Sequence, residues 1–265
     1  RDPEIPAMTP EKRSHPTILR GLIVLEKVVQ AQRPVSATEL IDELELPKPT
    51  VNRILQQLEE EGLLQREPVN RRYLPGGRTR ELALGVMTNK ALGAPRHAIL
   101  QALSEEIGET CNCSMLDGDH TVYFDRVEAN WPFRIQLPVG SQLPLHCTAS
   151  GKLFLAYMDP RHRHRLLGAA PLKRFTDRTI TDVEQLSGAL RRVEKDGIGV
   201  DDGEFMDGMA AVAVPVFNAA NAICFTVAVH APTVRKSLAA LRQYVPALRQ
   251  AAAAMAATYC DSDSA

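Results

Sequence analysis

The sequence of 265 residues has few of the residues that stabilise small secreted domains or mark membrane proteins. It contains five cysteines, one tryptophan and only 5% aromatic residues. The cysteines are scattered, with no CxxC pair and no HxxxH partner, which favours reduced thiols over a disulfide framework. No segment approaches the roughly 20 apolar residues that a membrane-spanning helix needs. We therefore expect a cytoplasmic protein with no membrane partner, long enough for two ordinary hydrophobic cores.

The sequence also has no excess of either charge, since it contains 31 Lys and Arg and 32 Asp and Glu, for a formal net charge of −1. A chain that is basic throughout is excluded, so any nucleic-acid contact must come from a local patch. The sequence contains no GxSxG, HExxH or GxGxxG motif. We predict no catalytic residues, no cofactor and no metal. Cys111 and Cys113 alternate along a predicted strand, where small buried side chains are favoured over a zinc or redox site.

The N-terminal third has helical spacing followed by a short ribbon. Residues 1–15 are expected to form a disordered leader, and a first amphipathic helix follows over 16–31. Ser36 with Glu39 is a capping box that opens a second helix. A third helix begins at Pro47 and ends at Gly62, and the segments "LLQRE" and "RRYLPG" flank "PVN" as two short strands. This order predicts a winged helix-turn-helix DNA-binding domain over residues 16–78.

Positive charge is concentrated at the two places where such a domain meets DNA, the front of the third helix and the hairpin wing. The glutamates at 59 to 61 are expected to lie away from the phosphates. The competing interpretation is a solvated surface with no partner, and for Gln56 it is equally favoured. The residues that we expect to contact double-stranded operator DNA are Lys48, Thr50, Asn52, Arg53, Gln56, Arg66, Arg71 and Arg72, with Asn52 and Arg53 reading base edges.

The rest of the chain predicts a linker helix over 79–93, with a break at Gly93–Pro95, and a second domain over 94–260 before a tail at 261–265. Its period changes to two, with hairpins turned at 117–119 and near 218–221. Helices interrupt the strands, one of them opened by Thr181 with Glu184 as capping partner, and a last helix runs from about Val234 to Thr258. Hairpins with helices to one side predict an α+β fold around a mostly antiparallel sheet.

Six segments, in order, resemble the IclR-type family of bacterial transcriptional regulators: "LPKPTVNRILQQLEEEGLL", "YFDRVE", "GSQLPLHCTASGKLFLA", "RFTDRTITD", "GIGVDDGEF" and "VAVPVFN". The resemblance covers nearly the whole chain from about Thr17 to Arg235. It implies an N-terminal winged helix-turn-helix joined by a helix to a GAF-like effector-binding domain. It also implies a homodimer or homotetramer that represses or activates catabolic operons.

The resemblance also implies an effector site. It places backbone N–H groups of Ala149 and Ser150 on a ligand carboxylate, which agrees with the affinity of helix N-termini for anions. It maps an acidic ligand contact to Asp201 and apolar wall positions to Ile135, Leu143 and Met209. It also maps to Ala211 a position that is often cysteine in relatives. For each of these residues, simple packing in the core is the alternative.

Alanines at 210 and 211 leave space where relatives carry larger side chains. We therefore expect a bulkier effector than the smallest oxo-acids, possessing an apolar or aromatic body and a hydroxyl that donates to Asp201.

Two functions from different classes follow. The favoured one is a sequence-specific transcriptional regulator whose operator binding is controlled by a small organic acid. The alternative is a metabolite-binding protein or enzyme whose helix-turn-helix serves protein contacts.

Overall fold

The computed structural model describes residues 16–31, 33–44, 46–68, 70–131 and 137–260. The chain divides into two compact units, residues 1–83 and 84–265. The predicted leader, the predicted tail and the predicted wall residue Ile135 lie outside the described residues. Among the described helices, none has the length and apolar character required to span a bilayer.

The first unit is a winged helix-turn-helix, as predicted. It consists of α1 (Thr17–Gln30), α2 (Ala37–Leu44), α3 (Lys48–Glu60), β1 (Leu64–Arg66) and β2 (Tyr73–Pro75). The strands pair antiparallel to form the wing. The apolar faces of the three helices and the wing enclose one core, formed by Val24, Val28, Val35, Leu40, Val51, Ile54, Leu55, Leu64 and Tyr73.

Local capping explains where these helices begin and end. The amide of Glu39 donates to Ser36 Oγ at 3.2 Å, and the amide of Ser36 donates to Glu39 Oε2 at 2.6 Å, so the predicted capping box is present. The hydrogen bond that the Glu39 carboxylate accepts from the Ser36 amide is the main cause that lowers the pKa of Glu39 to about 2. Gly62 ends α3 in the left-handed conformation, at φ 69°, which favours glycine.

The second unit is built on a six-stranded sheet in the order β5-β4-β3-β8-β7-β6, with all neighbours antiparallel. Its strands are β3 (Thr110–Asp117), β4 (His120–Val127), β5 (Gln142–Pro144), β6 (Gly199–Asp202), β7 (Met209–Phe217) and β8 (Ile223–Pro232). The helices are α4 (Gly77–Thr88), which begins in the first unit, α5 (Lys90–Ile107), α6 (Ala149–Tyr157), α7 (Pro160–Gly168), α8 (Val183–Asp196), α9 (Leu238–Arg242) and α10 (Val245–Cys260). The predicted α+β fold is confirmed.

The two faces of the sheet have different partners. One face is apolar, with Cys111, Cys113 and Val227 among the residues that share a core with α5 and α10. The opposite face packs against α6 and α8 through a second core that includes Leu153 and Ala213. Successive side chains of a strand point to opposite faces. The residues before and after Cys111 or Cys113 therefore lie on the face toward α6 and α8.

Three local predictions were wrong in detail. The break in the linker falls at Asn89, which caps α5 by accepting from the amides of Ala91 and Leu92, and α5 runs through Pro95. Asp182 rather than Thr181 caps α8, since its carboxylate accepts from the amide of Gln185 at 2.7 Å. The predicted last helix is two helices, α9 and α10, because the chain turns at 243–244 before Pro246 enters the first turn of α10.

Gly199 allows β6 to approach the first turn of α6 closely. A Cβ atom at this position would lie 2.0 Å from the carbonyl oxygen of Ala149. Gly199→Ala is therefore expected to destabilise the protein by about 1–3 kcal/mol, through strain between the two backbones. Gly188→Ala, in the interior of α8 where a Cβ atom meets only the end of the Arg191 side chain, should stabilise it by about 0.5–1 kcal/mol. Urea unfolding of both variants checks this, and equal effects would show that the approach is not tight.

Candidate functional site

The front of α3 presents polar side chains to solvent. Lys48, Asn52 and Arg53 are exposed, and Thr50 is partly exposed. Arg71, in the wing, is also exposed and has a φ of 51°. None of the described residues forms a hydrogen bond or ion pair with the side chains of Lys48, Asn52, Arg53 or Arg71. Lys48, Arg53 and Arg71 can therefore meet phosphates or base edges without first breaking an intramolecular ion pair.

Two of the predicted DNA-contacting arginines have partners within the unit. Arg66 Nε lies 2.7 Å from Glu59 Oε2, and its guanidinium group lies 4.9 Å from the centre of the Tyr73 ring. Arg72 Nη1 donates to the carbonyl oxygen of Pro34 at 3.3 Å. Both side chains are partly buried. Their geometry indicates a role in holding the wing against the rest of the unit.

The acidic end of α3 is also compensated internally. Gln56, another predicted contact, donates to Glu60 Oε1 at 2.9 Å, one helical turn away. Arg78 Nη1 lies 2.8 Å from Glu61 Oε2. Among the described residues, the cations at the N-terminal end of α3 thus have no ion-pair partner, whereas the glutamates at its C-terminal end have polar partners.

A cavity in the second unit collects the residues predicted to bind the effector. It contains about 570 Å³ of space not filled by protein atoms, including its opening to solvent. It lies between the polar face of the sheet, the first turn of α6 and the segment that follows β6. The lining residues are Asn112, Thr121, Tyr123, Leu137, Leu143, Thr148, Ala149, Ser150, Asp201, Phe205, Met206, Met209, Ala210, Ala211, Ala228 and His230. Every predicted effector residue within the described part of the chain is among them.

The first turn of α6 supplies hydrogen-bond donors to this cavity. Thr148 caps the helix, and its Oγ1 accepts from the amide of Gly151 at 3.1 Å. The preceding amides of Ala149 and Ser150 have no acceptor among the described residues, as is usual for the first N–H groups of a helix. Ser150 Oγ accepts from Thr226 Oγ1 at 2.9 Å, which ties the turn to the sheet. Amides at a helix N-terminus, with its partial positive charge, suit a carboxylate.

Asp201 faces the cavity from β6 and is held by backbone amides. Its Oδ1 accepts from the amides of Glu204 at 2.7 Å and Phe205 at 3.4 Å. Burial raises the pKa of Asp201 to about 7, although the hydrogen bond from the Glu204 amide and the positive charge of Lys152 oppose this rise. The carboxyl group therefore changes its charge near neutral pH.

A buried ion pair joins α6 to the segment after β6. Lys152 Nζ contacts Glu204 Oε1, and both side chains are almost completely shielded from solvent. The carbonyl oxygen of Glu204 in turn accepts from Thr179 Oγ1 at 2.6 Å and from Thr176 Oγ1 at 3.3 Å. These contacts fix the segment that carries Phe205 into the wall of the cavity.

The polar part of the sheet wall was missed by the sequence analysis. Asn112 donates through Nδ2 to Ser114 Oγ at 3.0 Å, and its buried Oδ1 has no partner among the described residues. Burial raises the pKa of Tyr123 to about 12, so this phenol stays neutral. Alternation along β3 offered a signal, because it places Asn112 on the face opposite to the cysteines.

His230 is a second missed residue, and it has a charged neighbour. Its Nε2 lies 3.1 Å from Arg126 Nη1. Burial, followed by the positive charges of Arg126 and Arg235, lowers the pKa of His230 to about 3. The imidazole is therefore neutral at physiological pH.

Three buried cysteines are poorly suited to metal or redox chemistry. Burial raises the pKa of Cys111 and Cys113 far above the usual thiol value, and it raises the pKa of Cys147 to about 12. Thiols of this kind are weak nucleophiles and weak metal ligands. In the parts of the chain that the structure describes, no three His, Cys, Asp or Glu side chains cluster as metal ligands.

Comparison with known proteins decides the family. Residues 17–68 match the IclR helix-turn-helix domain, and residues 85–257 match the C-terminal domain of the bacterial transcriptional regulator IclR. The chain belongs to the IclR family. It is therefore a DNA-binding transcriptional regulator.

Two known proteins match this chain along nearly its full length, and a third matches its second unit. The chain is 44% identical to the transcriptional regulator SauR of Cupriavidus necator, over 94% of this chain and 98% of SauR. The solved structure of the regulator RHA06195 from Rhodococcus sp. RHA1 matches with a TM-score of 0.64 and 26% identity, covering 93% of this chain and 98% of that one. The inducer-binding domain of PobR from Acinetobacter, solved as a double mutant with 3-hydroxybenzoic acid, matches with a TM-score of 0.56 and 27% identity, over 60% of this chain and 94% of that domain.

The ion pair beneath the cavity yields a test. Lys152→Met leaves a buried carboxylate without its cation and should destabilise the protein by about 3–5 kcal/mol. The double variant Lys152→Met, Glu204→Leu removes both charges and should cost less than the sum of the two single variants. Denaturant unfolding of the wild type, both single variants and the double variant measures the coupling. Additive losses would show that the two side chains do not stabilise each other.

Proposed function

We propose that this regulator binds a two-fold symmetric operator as a homodimer or homotetramer, and that a small organic acid in the cavity controls the binding. The observation that carries the proposal is the presence in one chain of two complementary sites. One is a helix front with unpaired cations, and the other is a cavity where helix amides face a titratable carboxyl group. A single winged helix covers only a short half-site, which favours an even number of copies on DNA.

The proposed DNA contacts divide by their position. Lys48, Asn52 and Arg53 stand at the end of α3 that enters the major groove in this docking geometry, and Arg71 stands in the wing. Because Arg66 and Arg72 have intramolecular partners, we assign them to support of the wing.

Arg53→Ala is expected to relax sequence preference, with a loss of about 1–3 kcal/mol on the preferred duplex and little change on a scrambled one. Arg71→Ala should weaken both duplexes alike, since a phosphate contact carries no base information. The preferred duplex is first obtained by selection from a random pool, and binding is measured by fluorescence anisotropy at a fixed salt concentration.

Arg53→Lys is the matched control, because it keeps the positive charge but loses the planar pair of donors. It should resemble Arg53→Ala in sequence preference. An unchanged ratio between the preferred and scrambled duplexes in Arg53→Ala contradicts the groove assignment. Failure of the wild type to bind any selected duplex would favour the alternative function, in which the helix-turn-helix serves protein contacts.

The proposed effector is a hydroxylated acid with an apolar or aromatic body. Ala149 and Ser150 offer amides to its carboxylate, and the small side chains of Ala210 and Ala211 leave room for its body. Asp201, when ionised, repels an anion unless the ligand donates a hydrogen bond to it. The complex of the PobR domain with 3-hydroxybenzoic acid supports this ligand class.

The titration of Asp201 predicts how the choice of ligand depends on pH. As the pH rises from 6 to 8, Asp201 ionises through its raised pKa of about 7. An acid without a hydroxyl then meets growing repulsion, whereas a hydroxylated acid gains a charge-assisted hydrogen bond. The preference for 3-hydroxybenzoate over benzoate should reach about tenfold at pH 8 and be smaller at pH 6. Isothermal titration calorimetry at both pH values measures it.

Asp201→Asn is the control for this titration. Its side-chain oxygen can still accept from the amides of Glu204 and Phe205, so the fold should be kept. The preference for the hydroxylated acid should fall and lose its pH dependence. A wild-type preference that is equal at pH 6 and pH 8 removes Asp201 from the recognition of the hydroxyl.

A further inference from the structure

Ala211 separates an acidic and an imidazole side chain within one cross-strand row. Asp201 of β6 pairs with Ala211 of β7, and Ala211 pairs with His230 of β8. Directly paired residues project from the same face of a sheet, so all three side chains face the cavity. Two strand spacings place the Cα atoms of Asp201 and His230 about 10 Å apart. Because the side chain between them is a single methyl group, the space above Ala211 is open to a ligand.

The Arg126 contact determines which ring nitrogen of His230 carries the proton. A guanidinium group only donates hydrogen bonds, so His230 Nε2, at 3.1 Å from Arg126 Nη1, must accept. A neutral imidazole that accepts at Nε2 carries its hydrogen on Nδ1. Arg126 belongs to β4, whereas Ala211 lies on the other side of β8. The two ring nitrogens of an imidazole project in diverging directions, so the Nδ1–H group is not directed at Arg126, and His230 lines the cavity together with Ala211 and Asp201.

The opposite end of the row offers an acceptor. Asp201 Oδ1 already accepts from the amides of Glu204 and Phe205. Oδ2 has no hydrogen-bond partner among the described residues, and Asp201 lines the cavity. A donor from His230 and an acceptor from Asp201 thus flank the methyl group of Ala211.

We propose that His230 determines specificity by donating from Nδ1 to the same effector hydroxyl that donates to Asp201. This rests on the proposed function, in which the effector is a hydroxylated acid. A hydroxyl is the smallest group that both donates and accepts a hydrogen bond, and it fits above a methyl side chain. An ether oxygen satisfies only His230, and an aromatic amine satisfies mainly Asp201. Arg126 is a positioning residue that fixes the tautomer of His230.

The probes are benzoate and its 3-hydroxy, 3-methoxy and 3-amino derivatives, with butyrate and 3-hydroxybutyrate as an aliphatic pair. Wild-type protein should bind the hydroxylated acid of each pair most tightly. It should bind the methoxy and amino analogues at least about tenfold more weakly than 3-hydroxybenzoate, since each leaves one polar side chain without its partner. Calorimetry at pH 8 measures these affinities.

His230→Leu should change the order in which the benzoate derivatives bind. His230→Leu removes the donor, so the methoxy analogue loses its advantage over benzoate while the amino analogue keeps its affinity. His230→Gln can accept from Arg126 and donate to the ligand, so it should restore most of the hydroxyl preference. This second variant keeps the test decisive if His230→Leu does not fold.

Tyr123→Phe tests the rival donor, because the phenol of Tyr123 lines the same cavity outside the row. It should leave the ratio between 3-hydroxybenzoate and 3-methoxybenzoate unchanged. A hydroxyl preference that is lost in Tyr123→Phe and kept in His230→Leu would assign the donor to Tyr123 and overturn the proposal. Tighter binding of isophthalate than of 3-hydroxybenzoate would also overturn it, because the row would then hold a second anion.

Failure of the proposed function and failure of the role of His230 give different results. If wild-type protein binds none of the aromatic or aliphatic acids, the proposed function fails and the inference fails with it. If it binds them with the same hydroxyl preference in His230→Leu as in the wild type, the effector class stands and the role of His230 is wrong.

Discussion

The buried ion pair between Lys152 and Glu204 holds together the two elements on which the cavity depends. Lys152 lies one turn into α6, so its position also orients the amides of Ala149 and Ser150. Glu204 follows β6, and its own amide orients the carboxyl group of Asp201. A charge pair shielded from water tolerates little change in geometry, because separating it exposes either charge to an apolar interior. One contact thus sets the distance between the first turn of α6 and the carboxyl group of Asp201.

The sheet contributes a wall with one apolar face and one face that carries polar side chains beside a second apolar core. Cys111 and Cys113 pack into an apolar core, while Asn112 between them faces the cavity. A polar side chain on this face needs a partner, and several have one within the protein, as Asn112 has in Ser114. The groups that remain available, such as Asp201 Oδ2, are therefore the ones that can select a ligand.

In the helix-turn-helix unit, too, some charged side chains have partners within the protein and others remain available. Glu59 and Glu61 lie close enough to Arg66 and Arg78 to form ion pairs, so the acidic end of α3 is compensated within the unit. Arg53 has no such partner among the described residues. An arginine that is already paired must break that pair to reach DNA, whereas an unpaired one gains the whole interaction. Among the described residues, the pairing pattern therefore distinguishes cations that have intramolecular partners from cations that have none.

Local patterns in the sequence determined the elements of the fold. Some signals act between residues close in the chain and could be recognised directly, such as hydrophobic periodicity, the Ser36–Glu39 capping box and the glycine at 62. Near Thr181, two neighbouring residues can both cap a helix, and the predicted start of α8 was wrong by one residue. The effector residues came from resemblance to a family, and local pattern alone did not identify them. Only the tertiary structure joined Lys152 to Glu204 and set Ala211 between Asp201 and His230. Alternation predicts which face a residue occupies, but long-range strand pairing decides its neighbours, and this register depends on packing of the whole sheet.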